Sequence, residues 1–209
     1  MAADRESHVA LKAAWRSRLR AARDAVPEAV RAAETATLAA AAVLLTADVD
    51  GPVCAYVAVG SEPGAPVGEV AALPAPVPDA LLEAGREVWL PVVPAKRGPL
   101  DWARYEGPGA LADAPFGLRE PTGERLGAAA VARAALVLVP ALALDRRGYR
   151  IGHGGGYYDR TLPLIDDRTV QRVGVVRDDE LVEELPVGPR DVPVSAALTP
   201  NQGRLALPS

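Results

Sequence analysis

Between residues 145 and 160 the chain reads Asp-Arg-Arg-Gly-Tyr-Arg-Ile-Gly-His-Gly-Gly-Gly-Tyr-Tyr-Asp-Arg. Glycines at 152, 154, 155 and 156 allow backbone N–H groups to converge on an anion without obstruction by side chains. Arg150 and Arg160 flank the run and add charge. The segment lies between an apolar strand pattern and a helix start, where α/β sheets place their ligands, and the positive end of the helix would add to the grip. It fits neither common phosphate fingerprint. No Gly-Lys-Ser/Thr follows at P-loop spacing, and Tyr157 stands where a dinucleotide turn needs its third glycine. A glycine turn that contacts nothing is the plainer alternative, and Tyr157, Tyr158, Asp159 and Arg160 argue against it.

A second cluster of charge lies near the start. Lys12 and Arg16 are four residues apart and Arg23 is seven further on, so on a helix they share one stripe. Leu11, Trp15, Leu19, Ala22 and Val26 fall on an adjacent arc, read as the buried face. Like charges at this spacing repel, and an anionic partner would relieve them. A solvated basic face is the alternative, with Arg20 and Arg23 secondary in either reading. All but two of the 23 basic residues are arginine, the exceptions being Lys12 and Lys96, so a lysine at position 12 marks a place that prefers a compact ammonium. Nothing resembles a Ser/His/Asp or Cys/His constellation. The chain's histidines are His8, read as a surface helix residue, and His153.

These groups need positioning elements. Ser7 caps an expected helix to about Asp24, and Pro27 opens a second to about Leu45. Strands are expected over 53–59, 87–93, 134–139 and 170–176, with helices over 78–84, 157–165 and 180–184. Residues 63–78 read as a surface loop and 100–127 as short strands and loops. Alternation of strand and helix predicts one α/β domain over residues 1–209, with a mainly parallel central sheet flanked by helices. The bulk numbers agree: 209 residues, 49% hydrophobic and 24% charged, describe a globular chain. Net charge of −4 argues against nucleic acid as a partner. No apolar run has the length of a membrane span, and no signal-like segment opens the chain. The single Cys54, read as core filling, fits a reducing, cytoplasmic setting.

The run Arg-Ile-Gly-His-Gly-Gly-Gly-Tyr-Tyr-Asp-Arg, preceded by Asp145 and Gly148, resembles the signature of the 5-formyltetrahydrofolate cyclo-ligases. So do, in order, the basic first helix, Tyr56-Val-Ala-Val-Gly-Ser-Glu62, Phe116-Gly-Leu-Arg-Glu-Pro121 and Asp191. The resemblance implies a layered α/β fold related to sugar-phosphate isomerases and CoA transferases. It implies ATP-dependent conversion of 5-formyltetrahydrofolate to 5,10-methenyltetrahydrofolate, with ATP and Mg²⁺ required and a monomer or weak homodimer as the working form. It places Lys12 and Arg16 in catalysis and on ATP phosphates, together with Arg150, Ile151, Gly152, His153, Gly154, Gly155, Gly156, Tyr157 and Tyr158. Folate contacts fall on Arg16, Val57, Glu62, His153, Gly154, Gly155, Gly156 and Tyr157, and metal ligation on Asp159 and Asp191. Trp102 and Phe116 read first as core, with stacking on the folate rings as the alternative. The loop departs from the family in carrying His153 where Arg is common and Gly155 where Lys is frequent. A sugar-phosphate isomerase, or a folate-binding module without catalysis, remain open alternatives.

Overall fold

The computed structural model describes residues 2–67, 75–166 and 168–208, and their side chains except those of residues 2–7 and Phe116. The stacking read for Phe116 and the cap read for the Ser7 side chain lie outside the described side chains. Two long helices open the chain, α1 (Ala2–Asp24) and α2 (Glu28–Leu45). Helix α1 begins at Ala2, so Ser7 lies within it; the Ala, Arg and Glu ahead of Ser7 are good helix formers and extend the helix past the expected cap. Then follow β1 (Val53–Cys54), α3 (Val77–Glu83), β2 (Val88–Val92), β3 (Asp101–Arg104), β4 (Leu111–Ala114), β5 (Leu118–Pro121), β6 (Leu136–Pro140), β7 (Ala143–Asp145), β8 (Arg150–Ile151), α4 (Tyr157–Thr161), β9 (Gln171–Val175), β10 (Leu181–Val182), β11 (Ala196–Thr199) and β12 (Gly203–Ala206).

Seven strands form one sheet in the order β12-β11-β9-β6-β1-β2-β3. The inner pairs are parallel, and antiparallel β12 and β3 close the two edges. Alternate residues feed two cores. Val53, Val88, Leu90, Leu136 and Leu138 pack with Leu38 and Ala42 of α2 and Leu81 of α3. Cys54, Trp89, Val137 and Val139 pack on the opposite face with Trp102, Leu162 and Ile165. Burial of both faces explains why the strands read as continuous apolar runs. Trp102 and Cys54 are fully buried there, which settles both as core residues.

Several expected elements differ. The strand expected over 53–59 keeps its ladder only at Val53 and Cys54, because the chain peels away from the sheet at Tyr56. The loop expected over 63–78 lies at 68–74 outside the described residues. Its described start is not on the surface: Ala65 and Val67 are buried, and the Thr35 hydroxyl donates to the Ala65 carbonyl at 3.1 Å. The helix expected over 157–165 is α4 followed by a 3-10 turn over Leu162–Leu164, since Pro163 cannot donate to a continuing helix. The helix expected over 180–184 is replaced by a 3-10 turn over Asp178–Glu180 and the strand β10, which pairs with β7. Within the polar run 145–156 a small sheet β10-β7-β8 is hidden. Its turn is held by the buried Asp145 carboxylate, which accepts from the backbone N–H of Arg147 and Tyr149 at 3.0 and 2.9 Å. Helix α1 lies on this small sheet rather than on the large one. Leu19 packs with Leu142, Ala143, Ile151 and Leu185.

Candidate active site

Strands β1, β2 and β6 run parallel, so their carboxyl ends meet at one edge of the sheet. Tyr56 and Val57, Val93, and Pro140 and Leu142 emerge there and line a cavity of about 730 Å³. The glycine loop and α1 form the opposite wall. Lys12, Arg16, Val57, Glu62, Arg150, Gly152, His153, all three glycines 154–156, Tyr157, Tyr158, Asp159 and Asp191 share this one cavity. Ile151 does not: it is buried under α1.

The inward face of α1 is only partly the apolar arc: Leu19 and Trp15 turn in, but Leu11 and Ala22 do not. Leu11 is 51% exposed and Ala22 is exposed, whereas Leu19 and Arg23 are buried and Lys12, Trp15 and Arg16 are half-buried. Beside the apolar cluster at Leu19, α1 covers the polar glycine loop, and there it is cations hydrogen-bonded to that loop that turn inward. Arg16 Nε donates to the Gly152 carbonyl at 2.9 Å and Arg20 Nη2 to the His153 carbonyl at 3.0 Å. From the far side, Arg160 Nη2 donates to the Gly155 carbonyl at 3.0 Å, with its guanidinium 5.1 Å from the Tyr157 ring centre. Three of the loop's carbonyls are thus held by arginines. In a trans peptide the following N–H points opposite its carbonyl, so the amides of His153, Gly154 and Gly156 face away from those guanidiniums. Gly154 (φ +109°) and Gly156 (φ +68°) adopt backbone conformations that side chains disfavour. Helix α4 has only five residues, so arginines and bare amides supply more of the loop's positive character than a helix dipole does.

Each expected metal ligand is held by a cation. The Lys12 ammonium pairs with Asp191 Oδ2, which also accepts the Gly188 N–H at 2.8 Å. Arg150 Nη2 pairs with Asp159 Oδ1, and Nη1 donates to the Val192 carbonyl at 3.1 Å. Burial pulls the Arg150 guanidinium below its usual pKa, and the Asp159 and Asp191 charges recover part of that loss. Both carboxylates border the cavity with hard oxygen donors of the kind Mg²⁺ takes. Among the described residues no group of three or more His, Cys, Asp or Glu could hold a metal. A magnesium ion here would therefore keep waters and ligand phosphates, as it prefers to do.

Across the cavity, Glu62 Oε2 accepts the Val59 N–H at 2.9 Å and Oε1 meets His153 Nε2 at 2.8 Å. Behind it, the Tyr158 hydroxyl is buried with no hydrogen-bond partner among the described residues, and burial raises its pKa well above the ordinary phenol value. Three features escaped the sequence. Arg23 is committed elsewhere, as described below. Glu120 of β5 reaches the cavity, its Oε1 accepting the Val93 N–H at 2.8 Å. His8 is half-buried with its Nε2 enclosed, rather than on the surface. Glu120 lies in the 116–121 segment and Arg23 on the basic stripe, but no local motif marks these roles or the setting of His8.

Fold and cavity together define an α/β protein with a cavity, bordered by Lys12, Arg16 and a glycine loop, at the carboxyl ends of its central parallel strands. The family model of the 5-formyltetrahydrofolate cyclo-ligases matches residues 8–200. A 5-formyltetrahydrofolate cyclo-ligase of Mycolicibacterium smegmatis is 45% identical over 201 residues, covering 94% of this chain and 97% of the relative. One from Escherichia coli is 35% identical over 128 residues, covering 61% and 70%. Among solved structures, a 5,10-methenyltetrahydrofolate synthetase of Aquifex aeolicus superposes with TM-score 0.70 at 24% identity over 95% of this chain and 94% of that one. One of Mycoplasma pneumoniae gives 0.64 at 18% over 89% and 96%. These two show the fold. The chain belongs to the 5-formyltetrahydrofolate cyclo-ligase family.

Proposed function

We propose that this cavity converts 5-formyltetrahydrofolate to 5,10-methenyltetrahydrofolate at the expense of ATP, releasing ADP and phosphate. The observation that carries the reading is that the glycine loop, Lys12 and Arg16 line one cavity with Glu62. Lys12, Arg16 and the loop amides of residues 152–158 hold the triphosphate. Glu62, with Val57 and Tyr157 beside it, accepts hydrogen bonds from the amino-pyrimidine edge of the pterin. The formyl oxygen attacks the γ-phosphorus, and the bond to ADP breaks with its electron pair leaving on ADP. N10 then bonds to the formyl carbon and gives up its proton, and the carbon–oxygen bond breaks as phosphate departs. Such a transfer asks for positioning and neutralised charge rather than a protein nucleophile, and none is placed here.

Asp159 and Asp191 would hold Mg²⁺, which supplies charge neutralisation on the phosphates. Lys12 and Arg150 would then pass from the carboxylates to the phosphate oxygens. One copy of the chain supplies every residue this reading uses, in keeping with a monomer. The lone buried Cys54 and the absence, among the described residues, of any helix long and apolar enough to cross a membrane fit a cytoplasmic setting. The test is absorbance of the methenyl product from 5-formyltetrahydrofolate with and without MgATP. Growth of the product only with MgATP, matched by ADP, is expected. Binding of the folate with no ADP release overturns the reading.

A further inference from the structure

Arg23 shares the stripe of Lys12 and Arg16 and borders the same cavity, yet its donors are taken up within the protein. It is 2% exposed. Its Nε donates to Glu180 Oε1 at 2.6 Å, and Nη2 donates to Glu180 Oε2 at 2.8 Å and to the Ala141 carbonyl at 2.6 Å. Burial works against this charge, and the Glu180 contact more than offsets it, leaving the guanidinium above its usual pKa. Glu180 is itself buried and fixed, because Oε2 also accepts the Arg177 N–H at 2.8 Å. Arg177 continues the chain of contacts to Glu34 of α2 at 2.8 Å. Ala141 lies between Pro140 and Leu142, both of which line the cavity. Arg23 therefore fastens the carboxyl end of α1 to the sheet edge that forms the opposite wall.

Among the described residues, the remaining contacts of α1 are few, the enclosed His8 beside Gly188 among them. Its buried apolar contact is Leu19 with its small cluster, helped by Trp15. Beyond Leu19 the helix rests on Arg16, Arg20 and Lys12, which reach groups a ligand would engage. A buried ion pair is a poor source of net stability compared with apolar residues of equal volume, while its forked geometry fixes direction. We infer that the buried Arg23–Glu180 pair positions α1, setting where Lys12 and Arg16 sit over the glycine loop, and so controls the use of ATP without touching it. The inference rests on the reading that Lys12 and Arg16 hold the triphosphate.

The test is steady-state kinetics on the double variant Arg23→Met/Glu180→Gln, which removes both charges and leaves an acceptor for the Arg177 N–H. Lys12→Ala is measured beside it. The expected result is a folded protein with Tm near that of the wild type, a KM for ATP raised on the order of 10- to 100-fold, and a KM for 5-formyltetrahydrofolate that stays put. A folded double variant with unchanged KM for ATP overturns the inference, as does an equal rise in both KM values, which would mark general loosening. If Lys12→Ala leaves the KM for ATP unchanged, the reading of the triphosphate site fails instead. Should the double variant not fold, Arg23→Lys, which keeps the charge but loses the fork, is judged by the same split of KM values.

Discussion

The two walls of the cavity are built by different means. The sheet-edge wall, residues 56–62 and 91–93, hangs from strands whose amides are paired (Val53 N–H to Glu87 carbonyl at 2.8 Å, Ala55 N–H to Trp89 carbonyl at 2.9 Å) and whose two faces are buried. The arm-and-loop wall, residues 12–23, 150–160 and 191, is held by guanidiniums on loop carbonyls and by two ion pairs, with a small apolar cluster beneath. Anchored at its base by a paired strand and pinned at Glu62 by the Val59 N–H, this wall would suit recognition of a rigid pterin in the proposed reading. Ion pairs can be traded: Lys12 and Arg150 neutralise Asp191 and Asp159 here, and in the proposed reading they would turn to a phosphate as a metal took their places. The wall that meets the more highly charged ligand is the one whose charges are already balanced.

Three substitutions sharpen that contrast. Gly148, the pivot of the turn before the loop, has φ +84°, and an added Cβ would fall 2.2 Å from the Val194 carbonyl oxygen. Gly148→Ala should lower stability by about 3 kcal/mol or more, read by denaturant unfolding, with the arm-and-loop wall losing protection first in hydrogen exchange. Lys12→Ala should weaken ATP binding by about 2–3 kcal/mol, the scale of a charge-assisted contact. Calorimetric titration checks it, with 5-formyltetrahydrofolate affinity nearly unchanged. Glu62→Gln should do the reverse, costing the folate about 1.5–3 kcal/mol and sparing ATP. Comparable losses of both ligands in either variant would erase the distinction between the walls.

The smallest effect lies outside both. Asp178 gathers the Thr199 hydroxyl at 2.7 Å and the Asn201 and Gln202 N–H groups at 3.2 and 3.1 Å, fastening the β11–β12 turn. Burial opposes its charge, and these hydrogen bonds prevail, so its pKa is lowered. A carboxylate with a depressed folded pKa stabilises above its unfolded value, about 3.9, and loses that contribution as pH falls through the folded value. Asp178→Asn should therefore cost about 1 kcal/mol at pH 7 and progressively less below pH 4, measured by urea unfolding across that range.

What was legible in the sequence divides along the same line. The buried strands of the sheet wall stood out because both faces are apolar, and the glycine loop because its composition is unusual. The strand read over 53–59 was too long because apolar residues from Tyr56 onward serve the cavity instead of the ladder. The apolar arc of α1 gave only part of its inward face: Leu19 and Trp15 pack, but beside them the helix covers a loop of carbonyls that wants guanidiniums. The β7–β8 turn lay hidden in polar residues, since Asp145 holds it through side-chain contacts that no periodicity reports. Strands β11 and β12 were missed because their alanines carry little strand propensity. The pairings of Lys12 with Asp191 and Arg23 with Glu180 span most of the chain, and only the fold brings them together.

Hydrogen–deuterium exchange with each ligand alone tests the central claim most directly. With MgATP, the amides of residues 152–158 and the α1 segment around Lys12 and Arg16 should slow, while residues 57–62 change little. With 5-formyltetrahydrofolate alone, residues 57–62 should slow. MgATP binding that leaves the loop and α1 unprotected would contradict the account.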